Sequence, residues 1–179
     1  MLRIVLIYGV IGGFIVAVPM AVSWFTASEG QIPENAALIG YLSMLLAFTM
    51  VFVGIKHYRD KVLGGAIRFL PALGVGLGIS AVASLFWVVG WELTLAAGFD
   101  FGSAYTDSVV AAAQARGAPA AEIERIRTET ADFLAMYANP LYRLPITFVE
   151  MFPIGVVISL LSAALLRNSR FLPARASGG

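Results

Sequence analysis

The chain has 179 residues, 59% of them apolar and 13% charged, with a formal net charge of +1. A soluble domain of that composition would expose more apolar surface than its polar groups could offset, so a membrane protein is expected. Cysteine is absent and histidine occurs once, at His57, which excludes disulfides, thiol chemistry, iron–sulfur clusters and multi-histidine metal sites. No metal or other cofactor is expected, and the absence of a basic stripe argues against nucleic acid. Four crossings at about 20 residues each use roughly 80 residues. The remainder suffices for termini and loops, so residues 1–179 are expected to form a single membrane domain without a separate catalytic module.

The first span is expected at about 4–25, a charge-free run that carries Gly9, Gly12, Gly13 and Pro19. It is longer than the apolar core of a signal peptide, roughly 7–15 residues. Ser28 to Asn35 combines turn formers with Glu29 and Glu34 and forms a short connector. The second span, about 36–55, stops at Lys56, His57, Tyr58, Arg59, Asp60 and Lys61. Gly64 and Gly65 loosen the following turn, Arg68 ends the polar stretch, and the third span covers about 69–91.

From about 100 to 143 the chain holds ten charges, and Gly117 with Pro119 divides this stretch into two helical pieces. A helical hairpin outside the membrane is predicted. In its second piece Ile123, Ile126, Thr130, Phe133 and Tyr137 recur at helical spacing and form one stripe. That stripe needs a partner surface: the first piece through Tyr105, Val109, Val110 and Ala113, the membrane surface, or an envelope protein. The fourth span, about 144–166, carries Glu150 and ends at Arg167, Arg170 and Arg175, and the tail after Phe171 is expected to be disordered. The fold class is therefore all-α, a membrane four-helix bundle with an extramembrane helical hairpin between spans three and four.

Lys and Arg near span ends favour the cytoplasmic side. With both termini inside, eight of the twelve basic residues fall on that face. Lys56, Arg59, Lys61 and Arg68 then read as cytoplasmic anchors beside anionic headgroups. At about 1.5 Å per residue, Trp24 lies roughly 32 Å from Arg3, and Trp87 and Trp91 roughly 29 and 34 Å from Arg68, which places all three indoles at the far interface.

An ionisable group within a span costs several kcal/mol unless it is paired or hydrated, so Glu92 and Glu150 are the candidate functional residues. By the same count Glu92 lies roughly 36 Å from Arg68 and Glu150 roughly 26 Å from Arg167. Either reads first as structural. The functional alternative brings the two carboxylates together as a proton or cation site. Arg143 lies seven residues before Glu150 on roughly the same helical face, close enough to neutralise it and leave only a structural ion pair. Pro153 removes a backbone donor nearby and bends the helix, or merely packs. His57 alone makes no metal site and has no evident nucleophile to activate.

The small-residue pairs Gly9 and Gly13, Gly74 and Gly78, Ser80 and Ser84, and Ser159 and Ala163 favour close helix contacts. Packing within the chain is expected, and a homo-oligomer stays open.

Tyr8-Gly9 with Gly12-Gly13, Ile39-Gly40-Tyr41, the exit Gly54-Ile55-Lys56-His57-Tyr58-Arg59-Asp60, and Thr147-Phe148-Val149-Glu150-Met151-Phe152-Pro153-Ile154-Gly155 followed by Leu160-Leu161-Ser162-Ala163 resemble the bacterial membrane family catalogued as domain of unknown function 4199. The resemblance covers nearly the whole chain and implies a four-span protein of the bacterial inner membrane. It brings no activity. From the residues, the leading expectation is a non-enzymatic accessory or assembly protein whose outer hairpin contacts an envelope component. The alternative is a small proton- or cation-coupled transporter or channel that uses Glu150 and Glu92. An enzyme is not expected, because no Gly-x-Ser-x-Gly, His-Glu-x-x-His or Glu-Glu-x-x-x-Arg arrangement occurs.

Overall fold

A computed structural model describes residues 1–26 and 36–174. The order is α1 (Leu2–Thr26), α2 (Ala36–His57), a π-helical turn (Tyr58–Val62), α3 (Phe69–Ala96), α4 (Phe101–Ala115), α5 (Ala120–Tyr137) and α6 (Pro140–Leu166). Four of these helices are long and apolar enough to cross a membrane, each with a mean hydropathy of 2.1 or 2.2. The connector with Glu29 and Glu34, the side chain of Trp24, and Arg175 lie outside what is described.

The bundle turns the usual soluble pattern outward. Leu42, Leu46, Leu70, Leu85, Leu93, Val149 and Leu161 are exposed, whereas Ser80, Ser84, Thr147, Ser159 and Ser162 are buried. That distribution suits lipid, where helices associate through close packing of small residues rather than through exclusion of water. The all-α membrane bundle expected from the sequence is what forms.

Register follows from the glycines. A Cβ on Gly78 would meet Val5, on Gly9 would meet Val82, and on Gly13 would meet Phe86, so α1 and α3 run parallel with matched four-residue steps. Between α3 and α6 the numbers run in opposite senses. A Cβ on Gly76 would lie 2.8 Å from the Ser159 Cβ, and one on Gly155 would lie 2.6 Å from the Ser80 Cβ. Between these two contacts the Ser80 and Ser159 hydroxyls are 3.2 Å apart, and Ser159 donates to the Gly155 carbonyl at 2.6 Å. Gly9, Gly13, Gly78 and Ser159 therefore pack within the chain. Gly74 has nothing near its absent Cβ. Helix α2 packs on α1, α3 and α6. Ser84 carries the one buried side-chain oxygen without a hydrogen-bond partner among the described residues.

The hairpin is built from caps and two glycines. At the end of α3, Gly98 (φ 97°) donates to the Leu95 carbonyl while Phe99 donates to Thr94, a Schellman closure. Asp100 then caps α4 by accepting from the Ser103 amide at 3.0 Å. The closure repeats at Gly117 (φ 74°), which donates to Gln114 while Ala118 donates to Ala113. Asn139 caps α6, with Pro140 in its first turn, by accepting from the Leu141 amide. The stripe of α5 is taken up within the hairpin and bundle: Thr130 and Tyr137 are buried, and Phe133 packs on Tyr105 at a centroid distance of 5.6 Å.

Three expectations need correction. Helix α3 runs to Ala96 and α6 begins at Pro140, so both extend past the predicted span ends at 91 and 144. The extra turns persist because Glu92 and Arg143, which would otherwise stop an apolar run, pair with each other. Arg59 is fully buried, not turned towards headgroups. Its guanidinium donates to the carbonyls of Leu166, Phe171 and Leu172, and its Nε donates to Asp60 at 2.6 Å. Lys56 also pairs with Asp60. The same contacts hold Phe171, which adds an edge-on contact with Phe52 at 6.4 Å, and give Leu172 a fixed position where the tail after Phe171 was expected to be disordered. Lys61 and Arg68 are exposed.

Candidate functional site

At the hairpin end of the bundle, Glu92 and Arg143 form a forked ion pair. Arg143 Nε donates to Glu92 Oε1 at 2.6 Å, and its Nη2 donates to Oε2 at 2.7 Å. Nη1 points to the carbonyls of Tyr137 and Ala138, each at 3.4 Å. One guanidinium thereby joins α3, the last turn of α5 and the first turns of α6, and compensates carbonyls that helix geometry leaves unpaired. The expectation that Arg143 neutralises Glu150 is therefore corrected: its fork is filled by Glu92, one residue past Trp91, and the two carboxylates do not form a joint site.

Glu150 faces a different environment. Among the described residues no cation pairs with it, and its nearest polar contact is the Trp87 indole, whose Nε1 donates to Oε2 at a long 3.4 Å. Around it opens a cleft of about 260 Å³. Helix α3 contributes Trp87 and Trp91, α4 contributes Phe101 and Tyr105, and α5 contributes Phe133 and Tyr137. The rings hold one another in place. Trp91 meets Phe101 edge-on at 5.3 Å, Phe101 stacks on Tyr105 at 5.3 Å, and Phe133 lies 5.4 Å from Tyr137. Such pairs contribute about 0.5–1.5 kcal/mol each beyond their area.

A polar chain backs the cleft. Trp91 Nε1 donates to the Tyr137 hydroxyl at 2.8 Å, and that hydroxyl lies 3.4 Å from Thr147 Oγ1, which itself donates to the Arg143 carbonyl at 2.9 Å. Burial pushes the Tyr137 phenol above its ordinary pKa, so it stays protonated at neutral pH and serves as a donor. At the start of α4, the hydroxyl and amide of Ser103 hold the Asp100 carboxyl below the usual carboxylate range.

Pro153 lies inside a continuous α6, exposed, one turn beyond Glu150, and leaves the Val149 carbonyl without its intrahelical donor. No group of three or more His, Asp or Glu arranged to hold a metal occurs among the described residues. His57 accepts or donates a 2.9 Å hydrogen bond with the Tyr8 hydroxyl, a link between α1 and α2 remote from the cleft in sequence and fold.

The aromatic walls were not anticipated. Their signal was available: Trp87 and Trp91, Phe101 and Tyr105, and Phe133 and Tyr137 are three aromatic pairs at the four-residue spacing of one helix face.

A family match agrees with this architecture. Residues 7–168 match the family described as protein of unknown function (DUF4199). The chain belongs to that family. The match begins in α1 and ends just after α6, so it takes in all four span-length helices and the hairpin. No curated protein and no solved structure matches the chain.

Proposed function

We propose that this DUF4199 protein is a non-enzymatic, multi-pass protein of a bacterial cytoplasmic membrane that binds a small ligand at its outer end, with both termini in the cytoplasm. The single observation that carries the binding reading is the cleft, where the exposed Glu150 lies beside walls of aromatic rings without a cation among the described residues. A carboxylate within a span-length helix is costly unless it is hydrated or something engages it, and Glu150 is exposed at the cleft. A ligand seated in the cleft supplies that engagement. The orientation rests on Lys56, Lys61, Arg68, Arg167 and Arg170 lying at the end opposite the hairpin.

Binding is favoured over transport by what lies along α3 and α6 beyond the cleft. There the two helices close on each other at Gly76 and Gly155, too tightly to admit a methyl group, let alone a solute. Binding is also favoured over capture of an envelope protein by the α5 stripe, because that stripe faces α4 and the bundle.

The test is a screen of the full chain in lipid nanodiscs by intrinsic tryptophan fluorescence, against small organic cations, organic anions and neutral sugars. One class is expected to give a saturable change in emission that weakens in Trp87→Leu. Silence towards all three classes would contradict the reading.

A further inference from the structure

We propose that the ligand is a small alkylated ammonium ion of the trimethylammonium type, held against Trp87 and Trp91 with Glu150 as its counter-charge. This rests on the binding reading above and names the chemistry of that same cleft.

The sign of the ligand follows from the local charge. Glu92 and Arg143 cancel within their fork, and Glu150 is left as the formal charge of the cleft. An anion would meet repulsion from it. Aromatic rings add attraction for a cation through their negative faces, most strongly for indole, and the interaction strengthens when water is excluded. Trp87, the residue that touches Glu150, makes no ring–ring contact among the described residues, whereas the other five rings are packed on neighbours. Its indole packs on the bundle core but on no other ring, and it lines the cleft beside Glu150.

The degree of alkylation follows from hydrogen-bond supply. A primary ammonium brings three donors and a guanidinium five, and each must find an acceptor once it leaves water. The indoles donate only, Phe101 and Phe133 offer nothing, and the Tyr137 hydroxyl is engaged by Trp91 and Thr147, so the acceptors are the Glu150 carboxylate and the Tyr105 hydroxyl. A primary ammonium or a guanidinium would have to aim its donors at these two groups and away from the ring faces. A quaternary ammonium has none to satisfy and spreads its charge over methyl groups that pack on rings.

Size agrees. A cleft of about 260 Å³ falls just below the roughly 300–1,000 Å³ usual for drug-sized ligands. It therefore suits a headgroup-sized cation. The trimethylammonium group could arrive on a free solute or on a choline lipid, and the two sources share this chemistry.

The experiment uses the full chain in nanodiscs of phosphatidylglycerol and phosphatidylethanolamine, titrated with tetramethylammonium, choline, methylammonium and guanidinium chlorides at constant ionic strength. Tetramethylammonium and choline are expected to change tryptophan emission saturably, at least tenfold more tightly than methylammonium or guanidinium. Glu150→Gln is expected to weaken them about tenfold. Trp87→Phe should weaken them less than Trp87→Leu, which keeps bulk but removes the ring. Circular dichroism confirms that each variant is folded. A parallel arm in phosphatidylcholine nanodiscs separates the sources: occupancy of the cleft there, with loss of the response to free tetramethylammonium, assigns the lipid headgroup, and an unchanged response assigns the free solute. Equal affinity for methylammonium and tetramethylammonium, or indifference to Glu150→Gln, would overturn the proposal. A response to anions or sugars in place of cations would overturn it while sparing the binding reading, and silence to every class would end both.

Discussion

Arg143 shows how one side chain can fasten three helices. Its planar fork matches the Glu92 carboxylate with two charge-assisted bonds, and its third nitrogen faces the end of α5. Lysine carries the same charge without the fork. Arg143→Lys is therefore expected to lose most of the stability that Arg143→Ala loses, about 2 kcal/mol, read by thermal unfolding in detergent; full retention by lysine would show that charge alone matters. Asp100 makes a second prediction at this scale. Its carboxyl is held below the ordinary value of 3.8 by the Ser103 hydroxyl and amide. A carboxyl with a lowered folded-state pKa stabilises fully above its unfolded value, and that contribution fades as pH falls through the folded one. Amide exchange protection at Ser103 should thus persist at neutral pH and fall only in acid below about 3.8. Asp100→Ala should show the low protection at every pH.

Among the elements, the α3–α6 crossing and the hairpin differ in how visible they were from sequence. The span-length helices were legible because lipid demands long charge-free runs, and the small-residue spacings pointed correctly to tight contacts. Their partners were not legible. Gly74 and Gly78 share one face, yet Gly78 meets Val5 and Gly74 meets nothing, because the parallel register sets Gly74 opposite Met1, before the start of α1. This contrast is testable. Gly155→Val is expected to destabilise the bundle by about 1–3 kcal/mol through overpacking against Ser80, whereas Gly74→Ala should be neutral or stabilising by up to about 1 kcal/mol from helix propensity. Equal effects in chemical or thermal unfolding would contradict the register.

The candidate site was half legible for a similar reason. Glu92, Glu150 and Arg143 stood out as charges in apolar runs, but seven residues of helical spacing suggested Arg143 with Glu150, and the antiparallel register of α3 and α6 paired it with Glu92 instead. The aromatic rings were hidden by a sufficient simpler account, since tryptophans near span ends read as an interfacial belt. Arg59 read as a lipid anchor for the same reason, and became buried because the chain after α6 folds back and offers it two carbonyls beside that of Leu166 at the end of α6.

For the molecule as a whole, the arrangement divides labour between its two ends. The end with Arg3, Lys61, Arg68 and Arg170 carries basic charge, and the opposite end carries a capped hairpin that folds over the bundle and walls a cleft around Glu150. The proposed access of a ligand from the outer side depends on that polarity. The chain lacks cysteine, so single cysteines introduced at Ser108 in α4 and at Lys61 beside α2 report the two ends without interference. The most direct measurement is labelling of each variant by a membrane-impermeant maleimide in intact bacterial cells whose outer membrane has been permeabilised. Ser108→Cys is expected to label at once and Lys61→Cys only after the inner membrane is broken; the reverse order would place the cleft in the cytoplasm and contradict the account.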